Sequence, residues 1–224
     1  MNKKEIVVAI TGASGVIYAA RLLEVLTASE CDVHLIISDS AFRIFETEMN
    51  IHTNHDHFDP KCLGISQSCI SELFPSGQII YHKSHDFTAP IASGSHKTAG
   101  MVICPCSMGT IGHLASGATM NLIHRAADVH LKERRKLILV PRETPFSLIH
   151  LENLTRLTQA GAVILPASPA FYHKPQGIAD LVNFIVSRIC DQLGVENNLI
   201  HRWNSKNDLS REAEPSDERF IEVT

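Results

Sequence analysis

Apolar positions along this chain follow two rhythms, short unbroken runs rich in β-branched residues and longer stretches with helical spacing. Residues 5–11 (EIVVAIT) form a run of the first kind, closed by Gly12-Ala-Ser-Gly15, and predict an opening strand. Residues 16 to about 28 then repeat apolar side chains every three or four positions and predict a helix. The same alternation gives a strand over 33–37, a helix to about 48, an irregular polar stretch over 51–64 and a helix over 65–73. Beyond it come a strand over 78–82, a loop over 84–89, a strand over 100–104, a helix from 121 and a strand over 137–140. A helix from 145 to about 160, a strand over 162–165 and a helix over 178–193 complete the pattern. Continuously apolar strands separated by helices belong to a parallel sheet covered on both faces. The predicted fold is therefore α/β, a doubly wound parallel sheet flanked by helices. It forms one domain over residues 1–204, and residues 205–224 are a charged, aromatic-poor tail.

Such a sheet holds its ligands beyond the carboxyl ends of the strands, where the chain order reverses. The first strand and the first strand of the second half are neighbours there, which sets Gly12–Ser14 opposite Cys106–Thr110 across one cleft. Both loops are small and rich in hydroxyls, and the first opens a helix, so an anion such as a nucleotide phosphate is the expected occupant. Ser38 ends the second strand and is either a helix N-cap or a ligand contact. Arg125 and Lys132 are two helical turns apart and project from nearly the same face, with Asp128 between them. Arg142 and Glu143 follow the strand over 137–140, where sites gather. Arg134, Arg135 and Lys136 read as a solvated helix end. Thr144 and Pro145 read as N-cap and first residue of the next helix.

Length and composition narrow the class. With 224 residues, 44% hydrophobic and 20% charged, the chain fits a single globular domain. A net charge of −4 carries no basic footprint for nucleic acid. No apolar run is long enough to span a bilayer, and the first strand follows at once after the N-terminus, so the expected location is the cytoplasm. The six cysteines are too sparse for a disulfide scaffold, and Cys104-Pro-Cys106 lacks the two-residue spacer of redox and zinc pairs. His52, His55 and His57 lie in a loop with nothing to fix them, so no metal site is expected there.

Six ordered motifs closely resemble the UbiX-type flavin prenyltransferases, within the homo-oligomeric flavin-containing cysteine decarboxylases. They are Thr11-Gly-Ala-Ser14-Gly15, Pro90-Ile-Ala-Ser93-Gly94-Ser95, Cys104-Pro-Cys106-Ser107, Arg125-Ala-Ala-Asp128 with Leu131-Lys132-Glu-Arg-Arg135, Pro141-Arg142-Glu143-Thr-Pro145, and Phe171-Tyr172-His173. The likeness runs from about residue 5 to Trp203. It implies a Rossmann-like fold in which Gly12, Ala13, Ser14, Ser38, Cys106, Ser107, Gly109, Thr110 and Arg142 hold FMN. It further implies that Ser93, Gly94, Arg125, Lys132, Arg142, Glu143, Tyr172 and Arg188 surround dimethylallyl phosphate, partly across subunit boundaries. Glu48 matches an acidic residue beside the flavin, and Trp203 an aromatic near the prenyl group. His124, where some members carry Glu, and Asn50, where Asp is frequent, depart from the pattern.

The resemblance implies transfer of a dimethylallyl group to reduced FMN, first to N5 and then, closing a fourth ring, to C6. The product would serve a UbiD-type decarboxylase in pathways such as ubiquinone synthesis, and the assembly would be a dodecamer. The chain has no D-D-x-x-D cluster to hold magnesium and diphosphate, so no metal is expected to be required and protein cations must ionise the allylic phosphate. Arg125, Lys132, Arg142 and Arg188 can supply charge-assisted contacts to phosphate oxygens. Each donor aimed at developing charge is worth about 3 kcal/mol in a dry site. Trp203 and the flavin ring would face the allylic cation. Glu143 would pass a proton to the leaving phosphate, or else merely pair with Arg142, while Glu48 and Ser14 manage protons at the flavin. Two other readings compete: an FMN-dependent decarboxylase of a cysteine-containing substrate, whose later Pro-x-Met-Asn-x-x-Met-Trp motif has no match here, and a non-catalytic FMN carrier.

Overall fold

The computed structural model describes residues 3–63 and 77–202. Six strands, β1 (Glu5–Ile10), β2 (Asp32–Ile37), β3 (Ile79–Lys83), β4 (Gly100–Cys106), β5 (Leu137–Pro141) and β6 (Val163–Ile164), pair in the order β3-β2-β1-β4-β5-β6. Every pairing is parallel. The helices are α1 (Val16–Ala28), α2 (Asp39–Met49), α3 (Met108–Ser116), α4 (Leu122–Lys132), α5 (Leu148–Gln159) and α6 (Ile178–Leu193). The order reverses between β1 and β4, as the apolar pattern requires.

Alternate residues of β1 divide the core in two. Ile6, Val8 and Ile10 pack with α1, α2 and α6 on one face. Val7 and Ala9 pack with Ile36, Met101, Ile103 and the apolar sides of α3 and α4 on the other. Central strands β1, β4 and β5 are buried on both faces, which is why their sequences show no alternation.

Local differences from the sequence reading have local causes. The helix expected from Pro145 begins three residues later, because the N-cap is Ser147 and not Thr144. Ser147 Oγ accepts the His150 N–H at 3.2 Å while His150 Nδ1 accepts the Ser147 N–H at 3.3 Å, a reciprocal cap that Thr144 has no partner to form. Helix α3, unassigned in the sequence, is bracketed by Ser107 as N-cap and left-handed Gly117 at its C-cap. Arg135 is not solvated: its guanidinium donates to the carbonyls of Gly94 and His96, the latter at 2.6 Å. His55 is held in place, paired with Asp39 and 2.7 Å from the Tyr81 hydroxyl. The expected helix over 65–73, Trp203 and the 205–224 tail lie outside the described residues.

His124 sits in the first turn of α4, 5% exposed, and its Nδ1 accepts the Met120 N–H at 3.2 Å. Burial, reinforced by the adjacent His113, lowers its pKa from 6.5 to about 4. The unfolded chain binds this proton more tightly, so the stability that His124 contributes is present above pH 6.5 and lost as pH falls through about 4. A shift of that size is worth about 3 kcal/mol. Urea unfolding at stepped pH is expected to show H124N losing stability less steeply across that window than the parent chain, by about this amount.

Candidate active site

Thr11 leaves β1 at the point where the sheet order reverses and joins the two halves. Its hydroxyl donates to the Pro105 carbonyl at 2.9 Å and accepts the Ser107 N–H at 2.8 Å, and its own N–H donates to Pro105 at 3.2 Å. The side chain is 2% exposed, so these bonds form in a medium of low dielectric. Ser107 thereby starts α3, its Oγ accepting the Thr110 N–H at 3.3 Å and standing 3.0 Å from Thr110 Oγ1.

Across the cleft, the Gly12 turn abuts α2. A β-carbon at Gly12 would lie 2.3 Å from Ser40 Oγ, so only glycine lets the backbone come this close. Ser40 Oγ is 3.1 Å from Ser38 Oγ, and Ser38 caps α2 through the Ala41 N–H. Ser38 is thus a helix cap, with its hydroxyl also beside Ser40. Gly15, at φ 104°, is the N-cap of α1 and offers no side chain. Glu48 takes that place: its carboxylate accepts the Gly15 N–H at 2.9 Å and the Val16 N–H at 3.1 Å. The positive end of α1 therefore already holds an anion from the chain itself. It sets Glu48 directly beside Ser14.

Arg142 closes the cleft from the β5 side. Its N–H donates to the Cys106 carbonyl at 3.4 Å and its Nε to the Ser14 carbonyl at 3.3 Å, so one residue touches the ends of both facing loops. Beside it a cavity of about 190 Å³ is lined by Glu143, Phe146, Pro166 and Ser168. Glu143 makes no ion pair with Arg142 among the described residues; its Oε1 accepts the Thr144 N–H at 3.1 Å. Burial pushes the Cys104 and Cys106 thiols well above the usual range, so neither is a thiolate nucleophile. Gly12, Ala13, Ser14, Ser38, Cys106, Ser107, Thr110 and Arg142 thus share one cleft, with Gly109 in the first turn of α3.

A second group assembles elsewhere. Arg125 Nε donates to the Ala92 carbonyl at 3.0 Å and its Nη1 to Asp128 at 3.0 Å. A β-carbon at Gly94 would meet Glu133 Oε1 at 2.3 Å and Lys132 Nζ at 2.9 Å, which joins Ser93 and Gly94 to the end of α4. Helix α4 returns toward the start of β5, and seven residues carry it about 10 Å. Lys132 and Arg142 accordingly lie at opposite ends of β5. Arg188 sits late in α6, whose cap Gly194 accepts from Lys4 just before β1, and it pairs with Asp191 at 3.0 Å, as Arg202 does at 2.7 Å. Among the described residues, Arg125, Lys132 and Arg188 are held by partners other than those of Arg142. Tyr172 follows β6 and meets the Phe184 ring edge-on, with centroids 5.9 Å apart. Thr11, Arg135 and the Ala92 carbonyl were not singled out from sequence. A threonine ahead of the glycine turn is a usable signal, whereas a backbone carbonyl leaves none.

A doubly wound parallel sheet with this cleft at its reversal point defines a flavoprotein, and the Flavoprotein family model matches residues 1–190. The flavin prenyltransferase UbiX of Alkalihalophilus pseudofirmus is 48% identical over 203 residues, covering 90% of this chain and 96% of its own. That of Pseudomonas aeruginosa is 47% identical over 211 residues, covering 93% and 98%. Among solved structures, that of AnUbiX (PadA1) in complex with FMN and dimethylallyl pyrophosphate superposes with a TM-score of 0.79 at 38% identity, over 91% of this chain and 99% of that one. A dodecameric FMN-dependent UbiX-like decarboxylase from Escherichia coli O157:H7 gives 0.76 at 35% identity, over 90% and 100%. A PPC decarboxylase mutant, at 15% identity and a TM-score of 0.53, shares the fold alone. The chain belongs to the UbiX-type flavin prenyltransferases.

T11V keeps the shape of the side chain but leaves the buried Ser107 N–H without its acceptor. It is expected to lower unfolding stability by about 1–3 kcal/mol, read from urea midpoints at neutral pH.

Proposed function

We propose that this enzyme transfers a dimethylallyl group from dimethylallyl phosphate to reduced FMN, giving prenylated FMN, with no metal in the transfer. The observation that carries the reading is Arg142, which bridges the Gly12–Gly15 turn and the end of β4 while lining a cavity with Glu143. The cleft suits the flavin: hydroxyls from Ser38, Ser107 and Thr110 line it, and Gly12 admits close backbone approach. Reduced flavin supplies the two positions, N5 and C6, at which the five-carbon unit becomes attached.

The chain's own residues do the rest. Arg142 offers a planar cation to the phosphate oxygens, and in a water-poor cleft that contact strengthens as the allylic carbon–oxygen bond breaks. Glu143, free of an ion pair, gives the departing phosphate its proton. Glu48 and Ser14, side by side at the start of α1, take up protons released from the flavin. Lys132, at the end of α4, and Arg188, late in α6, lie toward the opposite edge of the sheet from Arg142. Neighbouring copies complete the phosphate site in a homo-oligomer, with Tyr172 at the prenyl group. A relative's dodecameric form supports that assembly. The product would pass to a UbiD-type decarboxylase, including in ubiquinone synthesis, in the cytoplasm; no helix among the described residues is long and apolar enough to cross a membrane.

Incubating the protein with reduced FMN and dimethylallyl phosphate, without oxygen or metal, and weighing the flavin by mass spectrometry tests the reaction. A flavin heavier by one five-carbon unit is expected, and an unchanged flavin mass refutes it. E143Q should bind FMN as the parent does and turn over about 100-fold more slowly; equal turnover removes Glu143 from proton transfer.

A further inference from the structure

On the sheet face covered by α3 and α4, the polar side chains Glu5, His34, His82 and His96 cluster near the starting edge, away from the cleft. Glu5 opens β1, His34 follows on β2, His82 lies on β3, and His96 comes from the segment after Gly94. Glu5 Oε2 is 3.1 Å from His34 Nε2 and 2.9 Å from His96 Nε2. One ligand atom from each of these three lies within 4.8 Å of the other two. A transition cation bound at about 2.0–2.2 Å holds its ligand atoms about 3 Å apart, and both contacts to Glu5 match that spacing.

Hydrogen bonding alone does not account for the group. His34 is 4% exposed, and its Nδ1 lies 2.9 Å from His82 Nε2, the two rings stacked with centroids 5.2 Å apart. If His34 donates from Nδ1, its Nε2 lone pair faces a carboxylate oxygen, acceptor against acceptor. If His82 donates instead, His34 Nε2–H satisfies Glu5. Under either tautomer His96 Nε2 is buried and makes no hydrogen bond, although the carboxylate is 2.9 Å away, because the atoms converge without the alignment a hydrogen bond needs. A cation among the three atoms satisfies all of them at once. The first tautomer then becomes the one that metal-bound imidazoles adopt, with the second ring nitrogen donating to a neighbour that fixes its orientation.

We propose that Glu5, His34 and His96 bind a divalent transition cation, zinc by ligand type, with a fourth position open to water and His82 orienting His34. Two imidazoles and one carboxylate are a zinc ligand set. The cation is structural and separate from prenyl transfer. It ties the 93–99 segment to β1 and β2, while Arg135 already holds the carbonyls of Gly94 and His96 from the end of α4.

FMN-loaded protein is stripped with chelator, dialysed against zinc, and its metal counted by mass spectrometry, with affinity read by competition against a chromophoric chelator. One zinc per chain is expected. H96A should weaken binding at least 100-fold, E5Q should do likewise, and H82A should weaken it 10–100-fold. The double variant H52A/H57A, in a different loop, should retain the full stoichiometry. Zinc should also raise the melting temperature of the parent chain but not of H96A, whose flavin content and circular dichroism report that it is folded. Absence of bound zinc, or an affinity in H96A and E5Q equal to that of the parent chain, overturns the assignment and leaves the cluster as a histidine–carboxylate network.

Discussion

One buried hydroxyl holds the reversal point together. At the reversal of a doubly wound sheet β1 and β4 are adjacent, but the chain leaves them toward opposite faces, and beyond the Thr11 N–H bond to Pro105 the two departing loops need a further joint. Thr11 supplies that joint by donating to Pro105 and accepting from Ser107, the residue that starts α3. The distance between the two walls of the cleft thus depends on a side chain that cannot move without stranding the Ser107 N–H away from water. Arg142 can reach the Ser14 carbonyl only because that spacing is fixed.

The charges obey the same geometry. A parallel sheet sends every helix back from the carboxyl edge to the starting edge, so residues at the two ends of a helix serve different edges. Arg142 comes just after a strand and lies at the cleft, whereas Lys132 ends a helix and lies where the next strand begins. The other cations are each paired with a carboxylate: Arg125 with Asp128, Lys132 with Glu133, Arg188 with Asp191. Such exposed pairs are weak, so exchanging a carboxylate partner for phosphate oxygens costs little.

How much of this was legible depended on whether the signal was local. Strands such as Val33 to Ile37 and Leu137 to Val140 announce themselves by continuous burial, and α6 by an unbroken apolar stripe between glycines, so fold and strand order could be read directly. The start of α5 was misplaced because Thr-Pro imitates a cap, while the true one needs Ser147 and His150 to answer each other. Arg135 looked solvated beside other cations, since its acceptors are carbonyls some forty residues away, and carbonyls have no sequence identity. The Glu5, His34, His82 and His96 group was invisible for the same reason: each residue sits in a different element, and only the register of β1, β2 and β3 brings them to one face. The sequence drew attention instead to His52, His55 and His57, whose proximity along the chain means least.

That contrast bears on how the 93–99 segment is positioned. It carries Ser93 and Gly94 toward Lys132, yet it has no regular structure of its own. Three neighbours act on it: Arg135 at two carbonyls, the buried His130 ring at Thr98 Oγ1, 2.8 Å away, and Glu5 at His96. His130 donates from Nδ1 to the Ala126 carbonyl at 2.7 Å, which leaves Nε2 to accept from Thr98 and requires the neutral ring; burial lowers its pKa and keeps it neutral. A loop lacking hydrogen-bonded repeats can be as precisely placed as a helix when its anchors come from α4 and β1, two rigid bodies packed on the same sheet. Gly94 can therefore lie within reach of Lys132 without a side chain of its own to hold it there.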